Sequence, residues 1–131
     1  MAYLAVALGG ALGAVLRWTL GDVVPDGTGF PWTTFAINVT GSLALAWLPA
    51  LGAVRRRQVL AVGLGPGLLG GYTTLSAYSE QTRVLLADGH VATALLYVVG
   101  TLLACLVAVA VVSRLYPPVA GDEFAAEGGD E

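Results

Sequence analysis

The residues able to do chemistry in this chain are few, and most of them lie inside apolar segments. Gly70-Gly71-Tyr72-Thr73-Thr74-Leu75-Ser76-Ala77-Tyr78-Ser79 sets helix-weakening glycines and a run of hydroxyls in the middle of a long hydrophobic stretch. Lipid cannot satisfy a broken backbone, so unwound carbonyls and hydroxyls at that depth must face protein, an ion or water. Asn38, Gly41 and Ser42 fall at i, i+3 and i+4 and share one helix face. An amide inside a membrane is costly unless paired or wetted, and either a helix-to-helix hydrogen bond or a place on a wetted path meets that condition. Tyr97, Thr101 and Cys105 recur at i, i+4 and i+8 on an otherwise apolar helix. Such a stripe serves as a packing face or as one side of a shared polar track.

Chemistry of other kinds lacks its residues. There is no Cys/His metal spacing, no nucleophile with a base in reach, no phosphate loop followed by a lysine and no basic patch with aromatics for nucleic acid, so no enzyme is expected. Gly63 to Gly70 spells G-x-G-x-x-x-x-G, but the string follows no strand and sits in an apolar span. His90, in the turn Ala87-Asp88-Gly89-His90, is read as a surface residue. The single Cys105 allows no disulfide framework and is read as a small apolar filler.

The elements that must position these groups are membrane helices. Hydrophobic residues make up 56% of the 131, charged residues 11%, lysine is absent, and the mean hydropathy is +0.78. Soluble domains carry about 25% charge. Four spans are expected, at about 3–20, 32–53, 58–86 and 91–115, forming one all-α membrane domain over 1–116. Only Met1-Ala2-Tyr3 precedes the first apolar run, so that run is expected to be a retained span rather than a leader. Gly9 and Gly13 give it a small-xxx-small face, for packing within the chain or at a seam between subunits. Arg17, near its end, either snorkels to the headgroups or draws anions to a vestibule. Residues 21 to 31 are a turn-rich loop, and Trp32 is an interfacial aromatic opening the second span. The third span holds Pro66 among several glycines, so a break is expected between Gly65 and Ser76, near its middle.

The formal charge of −3 comes from the end of the chain. Residues 117–131 hold Asp122, Glu123, Glu127, Asp130 and Glu131 and are expected to form a solvated, disordered tail, while the body carries six arginines against Asp22, Asp26, Glu80 and Asp88. Arg55-Arg56-Arg57 is the one charge cluster of the body and places the loop between spans two and three in the cytoplasm. Arg114 then lies on the same side, with Arg17 and Arg83 opposite, a modest bias.

Gly-Gly-Ala-Leu-Gly-Ala-Val-Leu-Arg in the first span, Asn-Val-Thr-Gly-Ser in the second and Gly-Gly-Tyr-Thr-Thr-Leu-Ser-Ala-Tyr-Ser in the third together resemble the Fluc (CrcB-type) family of fluoride channels, over about residues 5 to 115. The resemblance implies a multi-pass protein of the cell membrane, embedded in lipid, that lets fluoride leave the cytoplasm by passive electrodiffusion. It implies an antiparallel, dual-topology dimer with two pores and a central sodium ion held by backbone carbonyls, here those of Gly70 and Thr73. Unwound backbone supplies the oxygens a hard cation wants where no carboxylate is at hand. It implies a pore lined by Asn38 as the amide donor, by the positions of Leu75, Tyr78 and Ser79, and by Tyr97 and Thr101, with Arg17 near the mouth. Fluoride is small and strongly hydrated, so such donors must replace its water.

Two departures stand out against that family. Leu75 and Tyr78 occupy positions where the family carries phenylalanines, whose electropositive ring edges can touch a dehydrated anion; leucine has no quadrupole to offer. Gln81 stands where a glutamate is usual, with Glu80 before it. These departures and the arginine bias admit a homodimer or a heterodimer with a related subunit in opposite orientation. Two other functions compete: a non-conducting assembly subunit, and a small multidrug-type proton-coupled transporter. The latter needs a membrane-embedded carboxylate, commonly in the first helix, and the first span has none.

Overall fold

The computed structural model describes residues 1–116; the acidic tail expected over 117–131 lies outside them. Every regular element among the described residues is helical: α1 (Ala2–Val23), α2 (Trp32–Trp47), α3 (Gly52–Arg55), α4 (Gln58–Val62), α5 (Gly70–Tyr72), α6 (Leu75–Ala87) and α7 (Val91–Leu115). A 3₁₀ turn over Leu48–Ala50 follows α2, and a π-helical stretch over Gly63–Leu69 joins α4 to α5. Three stretches are long and apolar enough to cross a bilayer: Ala2–Val23, Gln58–Ala87 and Val91–Leu115.

The second expected span ends earlier than its hydropathy suggests. Pro49 has no N–H to return to Leu45, so α2 stops at Trp47, tightens through Leu48–Ala50 and gives way to the separate α3. Pro66 acts differently. Its ring and missing donor disturb the ladder at Val62, and the helix widens to a π turn there without parting. The parting comes at Thr73 and Thr74, whose ψ angles of 159° and 117° are extended, inside the expected window.

Close packing explains the glycines of α1. A methyl group on Gly9 would strike the Gly63 carbonyl, one on Gly13 the Leu68 carbonyl, and one on Gly71 the Gly10 carbonyl. The small-residue face of α1 is therefore spent inside the chain, where it lets α1 lie against the backbone of residues 63–72. The other pairing is α2 along α7, with α6 joining α7. Between them Leu85, Ala94 and Tyr97 form a small core, closed by Phe30, Phe35 and Tyr78. Long apolar faces of α1 and α7 remain outward, as lipid-facing helices require.

Candidate ion-binding site at the helix break

Asn38 reaches across from α2 and completes the break. Its Oδ1 accepts the Thr74 N–H at 2.9 Å, and its Nδ2 donates to the Thr74 carbonyl at 3.1 Å. The amide thus pairs with both backbone groups of one residue, as a strand neighbour would, and satisfies backbone that lipid could not. Its second N–H is outside this pairing. Thr74 also caps α6, its Oγ1 accepting the Ala77 N–H at 3.1 Å.

These two substitutions release carbonyls. In an unbroken helix the Thr74 N–H would serve the Gly70 carbonyl and the Ala77 N–H would serve that of Thr73. Both donors have gone to side chains. Gly71 is served from α1 instead: Arg17 Nε donates to its carbonyl at 3.2 Å. Thr73 closes the upper segment, its N–H and hydroxyl both donating to the Leu69 carbonyl, at 3.0 and 2.9 Å.

Two cavities meet at the break, and Thr74 lines both. The first, about 580 Å³, is walled by Asn38, Ser42, Gly70, Thr73, Tyr78 and Thr101, with Leu75 and Cys105 beside them. The second, about 450 Å³, is lined by Arg17, Asp22, Asp26, Thr34 and Gln81. The shared face of Asn38, Gly41 and Ser42 is realised in the first cavity, which Leu75 and Tyr78 also line. Leu75 is 76% exposed there. Thr101 is 4% exposed, and its Oγ1 is the buried side-chain oxygen without a hydrogen-bond partner among the described residues. Arg17 belongs to the second cavity.

Other expected site residues have different duties. The Tyr78 hydroxyl donates to the Val98 carbonyl at 3.0 Å, so its proton serves α7. Ser79 returns its hydroxyl to the Leu75 carbonyl at 2.8 Å, on an exposed part of α6. Tyr97 is fully buried under Phe30 and Tyr78, with ring centroids 5.3 and 5.1 Å away, and its hydroxyl donates to Gln81 Oε1 at 2.8 Å. The polar stripe of α7 is therefore divided: Thr101 and Cys105 face the first cavity, while the Tyr97 hydroxyl turns to Gln81.

Sequence reasoning missed Asp26. Its carboxylate accepts the Thr33 N–H at 2.7 Å and the Thr34 N–H at 3.2 Å, capping α2 from within the preceding loop, and also takes hydrogen bonds from Thr34 Oγ1 and Gln81. A signal existed. Pro31, the residue before α2, offers no side-chain cap, so the free amides of the first turn needed an acceptor from farther away.

Comparison with known proteins gives the family. Residues 4–113 match the family model described as CrcB-like protein, Camphor Resistance (CrcB). A protein of Paracoccus denitrificans named fluoride-specific ion channel FluC is 45% identical over 111 residues, covering 82% of this chain and 87% of the relative. One of Thermus thermophilus with the same name is 47% identical over 107 residues, 76% and 82% of the two chains. Fluoride-specific ion channel FluC 2 of Nocardia farcinica is 45% identical over 109 residues, 81% and 78%. With the family model spanning α1 to α7, this multi-pass membrane protein belongs to the CrcB-like family.

Proposed function

We propose that the chain is a subunit of a fluoride-selective channel that lets the anion leave the cytoplasm down its electrochemical gradient. The observation that carries this reading is the Thr101 hydroxyl, buried and without a partner among the described residues, in a cavity that it shares with Asn38. A buried hydroxyl without a partner costs stability, and an anion at that wall would repay the cost by accepting its proton. The second Asn38 N–H is the neighbouring donor. The names of the relatives point to the same ion.

The finer architecture we propose is four spans in a dual-topology dimer. The 16 residues of α2 rise about 24 Å and the 3₁₀ turn adds about 6 Å, enough together for a hydrocarbon core of about 30 Å. The first cavity opens beside exposed Leu45, Leu75 and Leu102, a face on which an oppositely inserted copy or related subunit would sit. The carbonyls of Gly70 and Thr73, released from the ladder, fit a sodium ion shared by the two breaks. When bound, such an ion would supply a fixed positive charge between the subunits, and the residues here only hold it.

A non-conducting assembly role has one observation in its favour: the hydroxyl protons of Tyr78 and Tyr97 are spent within the protein. Fluoride-electrode efflux from liposomes holding this protein alone separates the cases. Efflux selective over chloride supports the channel and a competent homodimer. Efflux that begins only with a related subunit supports the heterodimer, and a rate indifferent to Asn38 and Thr101 in a folded dimer supports the assembly role.

A further inference from the structure

Most polar side chains near the break serve the break itself, but one chain of hydrogen bonds does not. Asp26 in the α1–α2 loop, Thr34 on α2, Gln81 on α6 and Tyr97 on α7 form a line through the protein beside the second cavity. Asp26 Oδ2 accepts from Thr34 Oγ1 at 2.8 Å and from Gln81 Nε2 at 2.9 Å, and Gln81 Nε2 also donates to Thr34 Oγ1 at 2.9 Å. At the far end Tyr97 donates to Gln81 Oε1 at 2.8 Å.

Chemistry fixes the direction of every bond in this line. An ionised carboxylate only accepts, so Gln81 must turn its amino group toward Asp26. Its carbonyl then falls on Tyr97, and the phenol must give up its one proton. Both N–H groups of Gln81 and the O–H of Tyr97 are therefore committed, and the pair offers lone pairs alone to anything else nearby. An anion needs donors. Yet Tyr97 sits one helical turn from Thr101, and its ring packs against Tyr78, both of which wall the first cavity.

We propose that Asp26 is a positioning residue for anion passage: it sets the proton direction through Gln81 and so withholds the Tyr97 hydroxyl from the anion. Removing its acceptor-only character lets the line reverse. In Asp26→Asn the Oδ1 atom keeps the Thr33 N–H while Nδ2 takes the place of Oδ2, and the Thr34 N–H loses its acceptor there. The Gln81 amide turns over to accept from it, its amino group donates to Tyr97, and the phenol proton becomes free. This deepens the channel reading and rests on it for its transport arm only.

The test uses the full chain in liposomes, with fluoride efflux measured for Asp26→Asn in the Tyr97 protein and in Tyr97→Phe. The expected result is a rise of about threefold or more with the tyrosine present and no change of rate on the phenylalanine background. A change equal in both backgrounds would be that of a lost helix cap and overturns the proposal. Gln81→Met guards against misfolding, since it leaves the Asp26 cap on Thr33 and Thr34 intact. It should reproduce the rise and abolish any further effect of Asp26→Asn; no rise overturns the proposal. A second readout is independent of transport. Gln58 and Gln81 are the chain's glutamines, so ¹⁵N-glutamine labelling yields side-chain signals that Gln81→Met assigns. The Gln81 amide protons should exchange slowly with water, and the nitrogen shift should move in Asp26→Asn; an unmoved signal overturns the relay whether or not fluoride flows. A moved signal in a protein that passes no fluoride supports the relay and rejects the channel instead.

Discussion

Both backbone groups of Thr74 are held by the single side chain of Asn38, with N–H to Oδ1 at 2.9 Å and carbonyl to Nδ2 at 3.1 Å. One residue of α2 thereby stands in for the helical ladder that the chain lacks at that depth. Asn38→Asp separates its two duties. The carboxylate still accepts the Thr74 N–H but sets a second oxygen against the Thr74 carbonyl, where a donor is needed. Asn38→Asp is expected to lose about 1–3 kcal/mol of stability and to lose fluoride efflux, read by thermal unfolding in detergent and by fluoride electrode. Full stability in this variant would show that Asn38 does not hold the break.

Thr101 predicts a conflict between stability and function. Thr101→Val keeps the shape and removes a buried hydroxyl that has no partner among the described residues, so the fold should gain about 1 kcal/mol, seen as a higher melting temperature. Fluoride efflux should fall by about tenfold, because a donor worth about 1.4 kcal/mol to the anion has gone. Thr101→Ser should keep most of the rate. Equal rates for the valine and serine variants would remove Thr101 from the anion path.

The glycines give a test of packing that needs no transport. Gly13→Ala drives a methyl group into the Leu68 carbonyl, which is backbone and cannot swing aside, whereas Gly100→Ala on α7 meets open space. Gly13→Ala is expected to cost about 2 kcal/mol or more, in the range of overpacked cores. Gly100→Ala should gain up to about 1 kcal/mol from helix propensity. Melting curves of the two variants in one detergent decide the matter, and equal melting would mean that α1 does not lie on residues 63–72 as described.

Much of this arrangement can be read from residue types and spacing, and the rest cannot for definite reasons. The break is legible because Gly70, Gly71 and four hydroxyl residues are a poor match for a lipid-facing helix. The face of Asn38, Gly41 and Ser42 is legible because helical periodicity is local. Which peptide Asn38 would pair with is not, since Thr74 lies 36 residues on and only packing brings them together. Asp26 is hidden for the same reason, being 55 residues from Gln81 and seated in a stretch that reads as an ordinary turn. The division of Tyr97 from Thr101 is hidden more deeply. Both occupy one stripe of α7, and only the positions of Gln81 and of the first cavity send their hydroxyls different ways.

Arg17 can act as a strut or as a charge, and two substitutions tell these apart. Its Nε donates to the Gly71 carbonyl at 3.2 Å, and lysine has no nitrogen at that place along its stem. Arg17→Lys keeps the charge and loses the strut; Arg17→Gln loses the charge and keeps an Nε2 donor at the place of the strut. The lysine variant is expected to cost about 1 kcal/mol of stability and the glutamine variant less. The salt dependence of efflux should weaken in Arg17→Gln alone, because screening acts on the charge and hardly on a short hydrogen bond. A lysine variant as stable as the parent would leave only the electrostatic role.

Leu75 stands where the resemblance drawn from the sequence implies an aromatic ring, and its geometry makes the difference testable. The side chain lines the first cavity and is 76% exposed, so a larger ring can be placed there without displacing a core. Leu75→Phe would set a ring edge, with its positive quadrupole, beside the donors of Asn38 and Thr101. Such contacts are worth about 0.5–1.5 kcal/mol, so fluoride efflux from the protein alone should rise about twofold to twelvefold with little change in melting temperature. If an oppositely inserted related subunit normally supplies the aromatic edge, the gain should vanish when that subunit is reconstituted with Leu75→Phe. A rise that persists in the mixed assembly would instead place Leu75 in a pore of its own, and no rise in either case would set the Leu75 side chain apart from the anion path altogether.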